Sequence, residues 1–155
     1  MTATILIIDD TPAEVRLLVD LLRGHGFRLL VALDGTEGVR KAVAGGPDII
    51  LLDVRMPDPD GIAVCRRLKS DPRTSDIPVI LLTGMDAPAD KLEGFRAGAS
   101  DYVTKPFFGD EVVARLRVHL DIRHRLQAVS AASSASASPI ERAPPPAVGL
   151  VDKAK

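Results

Sequence analysis

The chain holds one cysteine, Cys65, among 155 residues. That excludes an internal disulfide framework and fits a reducing compartment. No apolar run approaches the ~20 residues needed to cross a bilayer. The start, Met1-Thr2-Ala3-Thr4-Ile5, lacks the basic segment and long apolar core of a signal peptide. Neither sign of charge is in excess: 20 Lys and Arg stand against 21 Asp and Glu, a formal net charge of −1. Such a balance provides no field to attract nucleic acid or a membrane surface. These absences point to a cytoplasmic protein. With 46% hydrophobic and 26% charged residues, the composition suits one globular domain with an appendage.

Short, continuous apolar runs are what the chain does have. Ile5-Leu6-Ile7-Ile8 stops at Asp9-Asp10, and Ile49-Ile50-Leu51-Leu52 stops at Asp53. Runs of this kind, bounded by turns, read as strands buried on both faces, the habit of a parallel sheet. Further strands are expected over Phe27–Ala32, Ile77–Leu82 and Asp101–Thr104. Between them lie helical segments. Thr11-Pro12-Ala13-Glu14 has a capping Thr, a Pro at the first helical position and a Glu at the third. Val15, Leu18, Leu21 and Leu22 supply the apolar stripe of that helix. Thr36–Ala44, Gly61–Ser70, Pro88–Ala97 and Asp110–Val129 supply the other four. Strands alternating with helices at this spacing imply right-handed crossovers and a mostly parallel α/β sheet. Cys65, on the third helix with no histidine near it in sequence, reads as a core residue rather than a nucleophile.

From Ser130 to Pro139 every residue is Ala, Ser or Pro, and Ala143 to Ala147 continues the bias. This composition buries too little apolar area to offset its ordering entropy. The expected organisation is a domain over 1–129, including an extended last helix, and a flexible tail over 130–155.

The polar residues fall at the strand ends. Strand one ends in Asp9 and Asp10, strand three in Asp53, strand four in Thr83 and strand five in Lys105. Carboxyl ends of parallel strands converge on one shallow crevice. Any one of these residues alone reads as an ordinary turn, cap or surface charge. Together, three carboxylates and one ammonium leave an excess of negative charge, and hard oxygen ligands of this kind suit Mg²⁺. Magnesium commonly combines one or two carboxylates with phosphate oxygens, so the set points to phosphoryl chemistry. An aspartate can serve as nucleophile and carry the group as an acyl phosphate. Lysine, threonine and backbone N–H groups can stabilise the phosphoryl oxygens.

Four stretches in order carry a resemblance over residues 4 to about 125. They are Ile5 to Asp10 with Pro12, Asp53-Val54-Arg55-Met56-Pro57-Asp58-Pro59-Asp60-Gly61, Ile80-Leu81-Leu82-Thr83-Gly84, and Gly98 to Phe107. The combination closely resembles the receiver domain of two-component response regulators. The resemblance implies a flavodoxin-like doubly wound sheet of strand order 2-1-3-4-5 with five helices. It implies that Asp53 is phosphorylated by a histidine kinase or phosphotransfer protein. It further implies Mg²⁺ bound by Asp10, Asp53 and the backbone carbonyl of Arg55, with Asp9 acting through a water. Thr83 and Lys105 would contact the phosphoryl group, the Lys105-Pro106 bond would be cis, and Tyr102 would be the switch aromatic moving with Thr83.

The family's responding surface is the fourth helix, fifth strand and last helix. Beyond it, Asp121 to Val129 would project from the domain, with Leu126 and Val129 as candidate contacts for a second copy or an output module. Arg115, Arg117, Arg123 and Arg125 read as a solvated face rather than a nucleic-acid site, and His25, His119 and His124 form no ligand cluster. Arg55 and Met85, two residues after Asp53 and Thr83, offer no carboxylate or amide to orient water, so a long-lived acyl phosphate is expected. The domain is then a phosphoacceptor assisting its own phosphorylation and dephosphorylation, not an enzyme with a separate substrate. The rival reading is a Mg²⁺-dependent phosphohydrolase working through an aspartyl phosphate. It would resemble the haloacid dehalogenase group, but Arg55 stands where that group's general acid belongs.

Overall fold

The apolar runs become the three central strands of a five-stranded parallel sheet. In a computed structural model, which describes residues 2–84 and 88–136, with side chains described as far as residue 131, the strands are β1 (Thr4–Ile8), β2 (Arg28–Ala32), β3 (Ile49–Asp53), β4 (Val79–Thr83) and β5 (Asp101–Thr104). Their order across the sheet is β2-β1-β3-β4-β5, every pairing parallel. Helices α1 (Pro12–Leu22), α2 (Gly35–Gly45), α3 (Gly61–Ser70), α4 (Pro88–Arg96) and α5 (Gly109–Ser136) connect and follow them. This is the flavodoxin-like doubly wound architecture expected from the motifs.

Alternation along the strands sends side chains to two cores. Ile5, Ile7, Ile49, Leu51, Ile80 and Leu82 pack with Val15, Leu18 and Leu22 of α1 and with Val112, Leu116 and Leu120 of α5. Leu6, Ile8, Ile50, Leu52, Val79 and Leu81 pack on the other face with Val64, Cys65 and Leu68 of α3. Burying one such Leu or Ile side chain stabilises by roughly 1.5–3 kcal/mol. Cys65 is fully buried, its thiol faces the Ala97 carbonyl, and burial pushes its pKa up. It is a core residue.

Two boundaries differ from the sequence reading by more than one residue. Ile77 lies outside β4: its N–H donates to the Thr74 carbonyl, and Thr74 Oγ1 in turn donates to the Leu68 carbonyl. Pro78, lacking an N–H, contributes only its carbonyl, which accepts from Ile50, so the strand begins at Val79. The other difference is at the end of α5, which continues past Val129 to Ser136. Ala131 and Ala132 are strong helix formers, and no proline intervenes before Pro139. The flexible tail expected from there on lies outside the described residues from 137.

The chain divides into two units, residues 1–120 and 121–155. The first contains the sheet. In the second, the described part is helix, with an Arg125–Asp121 ion pair one turn apart and Ile122, Leu126 and Val129 exposed. Among the described residues, no helix is long and apolar enough to cross a membrane.

Candidate functional site

The carboxyl edge of the sheet brings together the acidic pair after β1 and the last residue of β3. One carboxylate oxygen from each of Asp9, Asp10 and Asp53 lies within 4.8 Å of the others. Asp9 and Asp53 are buried, and Asp10 is half-buried. The strands fix this convergence, because Ile8 pairs with Leu52 and places the two carboxyl ends side by side.

Each buried carboxylate is held by the backbone that follows it. Asp9 Oδ1 accepts from the Thr11 N–H at 3.0 Å, and Asp53 Oδ1 accepts from the Arg55 N–H at 3.3 Å. The loop after Asp53 then folds back tightly. Gly61 N–H donates to the Val54 carbonyl, and a Cβ on Gly61 would collide with the Asp53 carbonyl oxygen and Val54 Cα. Only glycine permits this approach. Asp60 caps α3 through the Ala63 N–H at 2.9 Å. The Asp58-Pro59 and Lys105-Pro106 peptide bonds are both cis.

Lys105, entering from the end of β5, places Nζ 3.0 Å from Asp53 Oδ1. The same ammonium lies 2.8 Å from Glu14 Oε1 on the first turn of α1. Glu14 is the site residue that the sequence reading missed. Its position suggested a capping box, yet Thr11 makes no side-chain cap, and the Glu14 carboxylate turns to a lysine 91 residues away. A local spacing rule cannot foresee that partner.

Thr83 is buried at the end of β4, beside β3. Its hydroxyl donates to the Gly84 carbonyl at 3.4 Å, and its carbonyl accepts from the Lys105 N–H at 2.8 Å. Tyr102 is half-buried on β5, edge-on to Phe95 at 5.8 Å between ring centroids, with Lys91 Nζ 4.3 Å from its ring centre. Met85 lies outside the described residues.

The electrostatics are those of crowded acids without enough positive charge. Burial pushes the Asp9 carboxyl up to about 8, and the nearby Glu14 and Asp53 carboxylates add to the rise. Burial also raises Asp53, against the opposing pull of Lys105. For Glu14, burial is outweighed by hydrogen bonds with Lys105 and Asp9 and by the charge of Lys105, which together hold its carboxyl below the usual range. Burial disfavours charged Lys105, but its bonds to Glu14 and Asp53 hold its pKa above the ordinary lysine value. Asp9 Oδ2 is buried with no hydrogen-bond partner. A buried carboxylate with an oxygen lacking a hydrogen-bond partner, clustered with two further carboxylates, suits a hard cation.

The sequence of residues 5–117 matches the family model of the response regulator receiver domain. The chain belongs to the response regulator receiver family. Receiver domains are phosphoacceptors of two-component signalling. The response regulator PleD of Caulobacter vibrioides (strain NA1000 / CB15N) is 45% identical over 126 residues, 81% of this chain and 27% of PleD. The DNA-binding dual master transcriptional regulator RpaA of Synechocystis sp. (strain ATCC 27184 / PCC 6803 / Kazusa) is 47% identical over 116 residues, 75% of this chain and 48% of RpaA. The chain thus spans less than half the length of either relative. Among solved structures, the receiver domain of the sensor histidine kinase PA1611 of Pseudomonas aeruginosa PAO1 superposes with a TM-score of 0.73 at 30% identity. It covers 78% of this chain and 99% of that one, and it has a magnesium ion coordinated in its active site cleft.

Proposed function

We propose that Asp53 is the residue that accepts the phosphoryl group from a histidine kinase or phosphotransfer protein. The observation that carries this is the placement of Lys105 Nζ 3.0 Å from a buried Asp53 carboxylate within the Asp9, Asp10 and Asp53 cluster. The Asp53 carboxylate attacks phosphorus, the bond from phosphorus to the donor's imidazole nitrogen breaks, and an acyl phosphate forms. Lys105 and the Thr83 hydroxyl then donate to the phosphoryl oxygens, and the Arg55 N–H steadies Asp53 Oδ1. The domain assists its own phosphorylation and has no separate substrate to turn over.

The resident cation of this reading is Mg²⁺, as in the PA1611 receiver domain. Asp10, Asp53 and the Arg55 backbone carbonyl would hold it, with Asp9 acting through a water. When bound, Mg²⁺ neutralises charge that builds up on the phosphoryl oxygens.

The output passes through α4, β5 and α5, where Phe95 and Lys91 of α4 lie against Tyr102 on β5, the strand that leads into Lys105. Exposed Leu126 and Val129 are candidate contacts for a second copy or an output module. The setting is cytoplasmic, and neither nucleic acid nor membrane is bound by this domain directly. The phosphohydrolase alternative is not favoured. Its acid–base residue would stand at Arg55, whose guanidinium is instead paired with Asp90. The test is labelling by acetyl phosphate with Mg²⁺ against turnover of a generic phosphate ester. Stoichiometric labelling without turnover is expected, and sustained turnover would contradict the reading.

A further inference from the structure

Glu14 reaches the site from a different element than the acidic pair. Its side chain is only 31% exposed, and Oε1 lies 2.8 Å from Lys105 Nζ. Lys105 is 23% exposed and at the same time 3.0 Å from Asp53 Oδ1. One ammonium is therefore divided between a carboxylate in the cation cluster and one outside it. A cation on Asp53 must share that carboxylate with Lys105, and two positive charges on one carboxylate repel. Glu14 offsets this by compensating Lys105 from the far side and keeping its charge drawn toward α1.

From this geometry, and resting on the phosphoacceptor reading above, we infer that Glu14 is a positioning residue that sets the cation affinity of the site by sharing the ammonium of Lys105 with Asp53. Glu14 is not itself a ligand. Replacing it with the isosteric, neutral Gln leaves Lys105 uncompensated and wholly directed at Asp53. Both consequences oppose a divalent cation. In a chain whose Lys105 carries no ammonium, Glu14 has no ammonium to position and retains only its own charge and its contact with Asp9, neither of which acts through Lys105.

The test is a Mg²⁺ titration followed by amide chemical shifts in the full chain, on wild type, Glu14→Gln, Lys105→Met and the double variant. The expected result is a dissociation constant weakened roughly five- to tenfold by Glu14→Gln in the wild-type background, and about twofold or less in the Lys105→Met background. An unchanged constant in Glu14→Gln, with wild type binding normally, would overturn the inference and leave the phosphoacceptor reading intact. An equal loss in both backgrounds would reduce Glu14 to a plain charge and also overturn it. A wild type that binds no Mg²⁺ would instead bring down the reading on which the inference rests.

Discussion

Arg55 reaches out of the acceptor loop to Asp90 on the first turn of α4, with Nε 3.1 Å and Nη2 3.0 Å from the same carboxylate oxygen. The residue two positions after the phosphoacceptor candidate is thereby tied to the helix that begins the proposed output surface. The pair is exposed on the arginine side, so its direct contribution to stability is small, under ~1 kcal/mol. Its consequence is chemical. A guanidinium held at Asp90 cannot orient water toward an acyl phosphate as an amide would. Arg55→Asn should therefore speed decay of the labelled protein several-fold, measured as a dephosphorylation time course in the absence of any phosphatase. Equal decay in wild type and variant would contradict this.

Gly61 has no room for a side chain, because the Asp53 carbonyl and Val54 Cα occupy the space. Gly61→Ala must push the start of α3 away from the acceptor loop. It should cost about 3 kcal/mol or more of folding stability by urea denaturation, and should slow labelling of whatever fraction folds.

Asp101 gathers three partners at the start of β5: Arg115 Nη1 bonds both its oxygens at 2.9 Å, His119 Nε2 lies 3.0 Å away, and the Tyr102 N–H donates at 2.8 Å. Although burial opposes it, the hydrogen bonds from His119, Tyr102 and Arg115 hold the carboxyl below its usual range. A carboxylate with a depressed folded-state pKa stabilises the protein above its unfolded value, about 4, and loses that contribution as pH falls through the folded value. Asp101→Asn should thus destabilise by roughly 1–2 kcal/mol at neutral pH. The gap to wild type should narrow as the pH falls below about 4. Urea midpoints at several pH values decide it.

Tyr102 is the chain's one tyrosine, and there is no tryptophan. Intrinsic emission therefore reports on this ring alone, with Phe95 at its edge and Lys91 over its face. If Tyr102 changes position with phosphorylation, its emission should change on adding acetyl phosphate and Mg²⁺. The change should be absent in Asp53→Ala. A constant signal during full labelling would remove Tyr102 from the switch.

The central strands were legible because Ile5 to Ile8 and Ile49 to Leu52 are continuous apolar runs that end in acid, a pattern few other structures demand. The placement of Asp9, Asp10, Asp53 and Lys105 at one edge followed from the parallel order. What sequence did not show was contact between distant segments. Glu14 obeys a local capping pattern, yet its carboxylate is spent on Lys105, and no spacing within α1 encodes that pairing. Ile77 carries the hydrophobicity of a strand but sits before a proline that cannot donate to the ladder. The end of α5 was obscured because alanine and serine satisfy both a linker and a helix, and composition alone does not choose between them.

The most direct test of Asp53 as phosphoacceptor is stoichiometric labelling with radioactive acetyl phosphate and Mg²⁺, run on wild type and on Asp53→Ala of confirmed fold by circular dichroism. One acid-stable, hydroxylamine-sensitive phosphoryl group per wild-type chain and none on the variant is the expected result. Labelling that survives in Asp53→Ala would contradict the assignment.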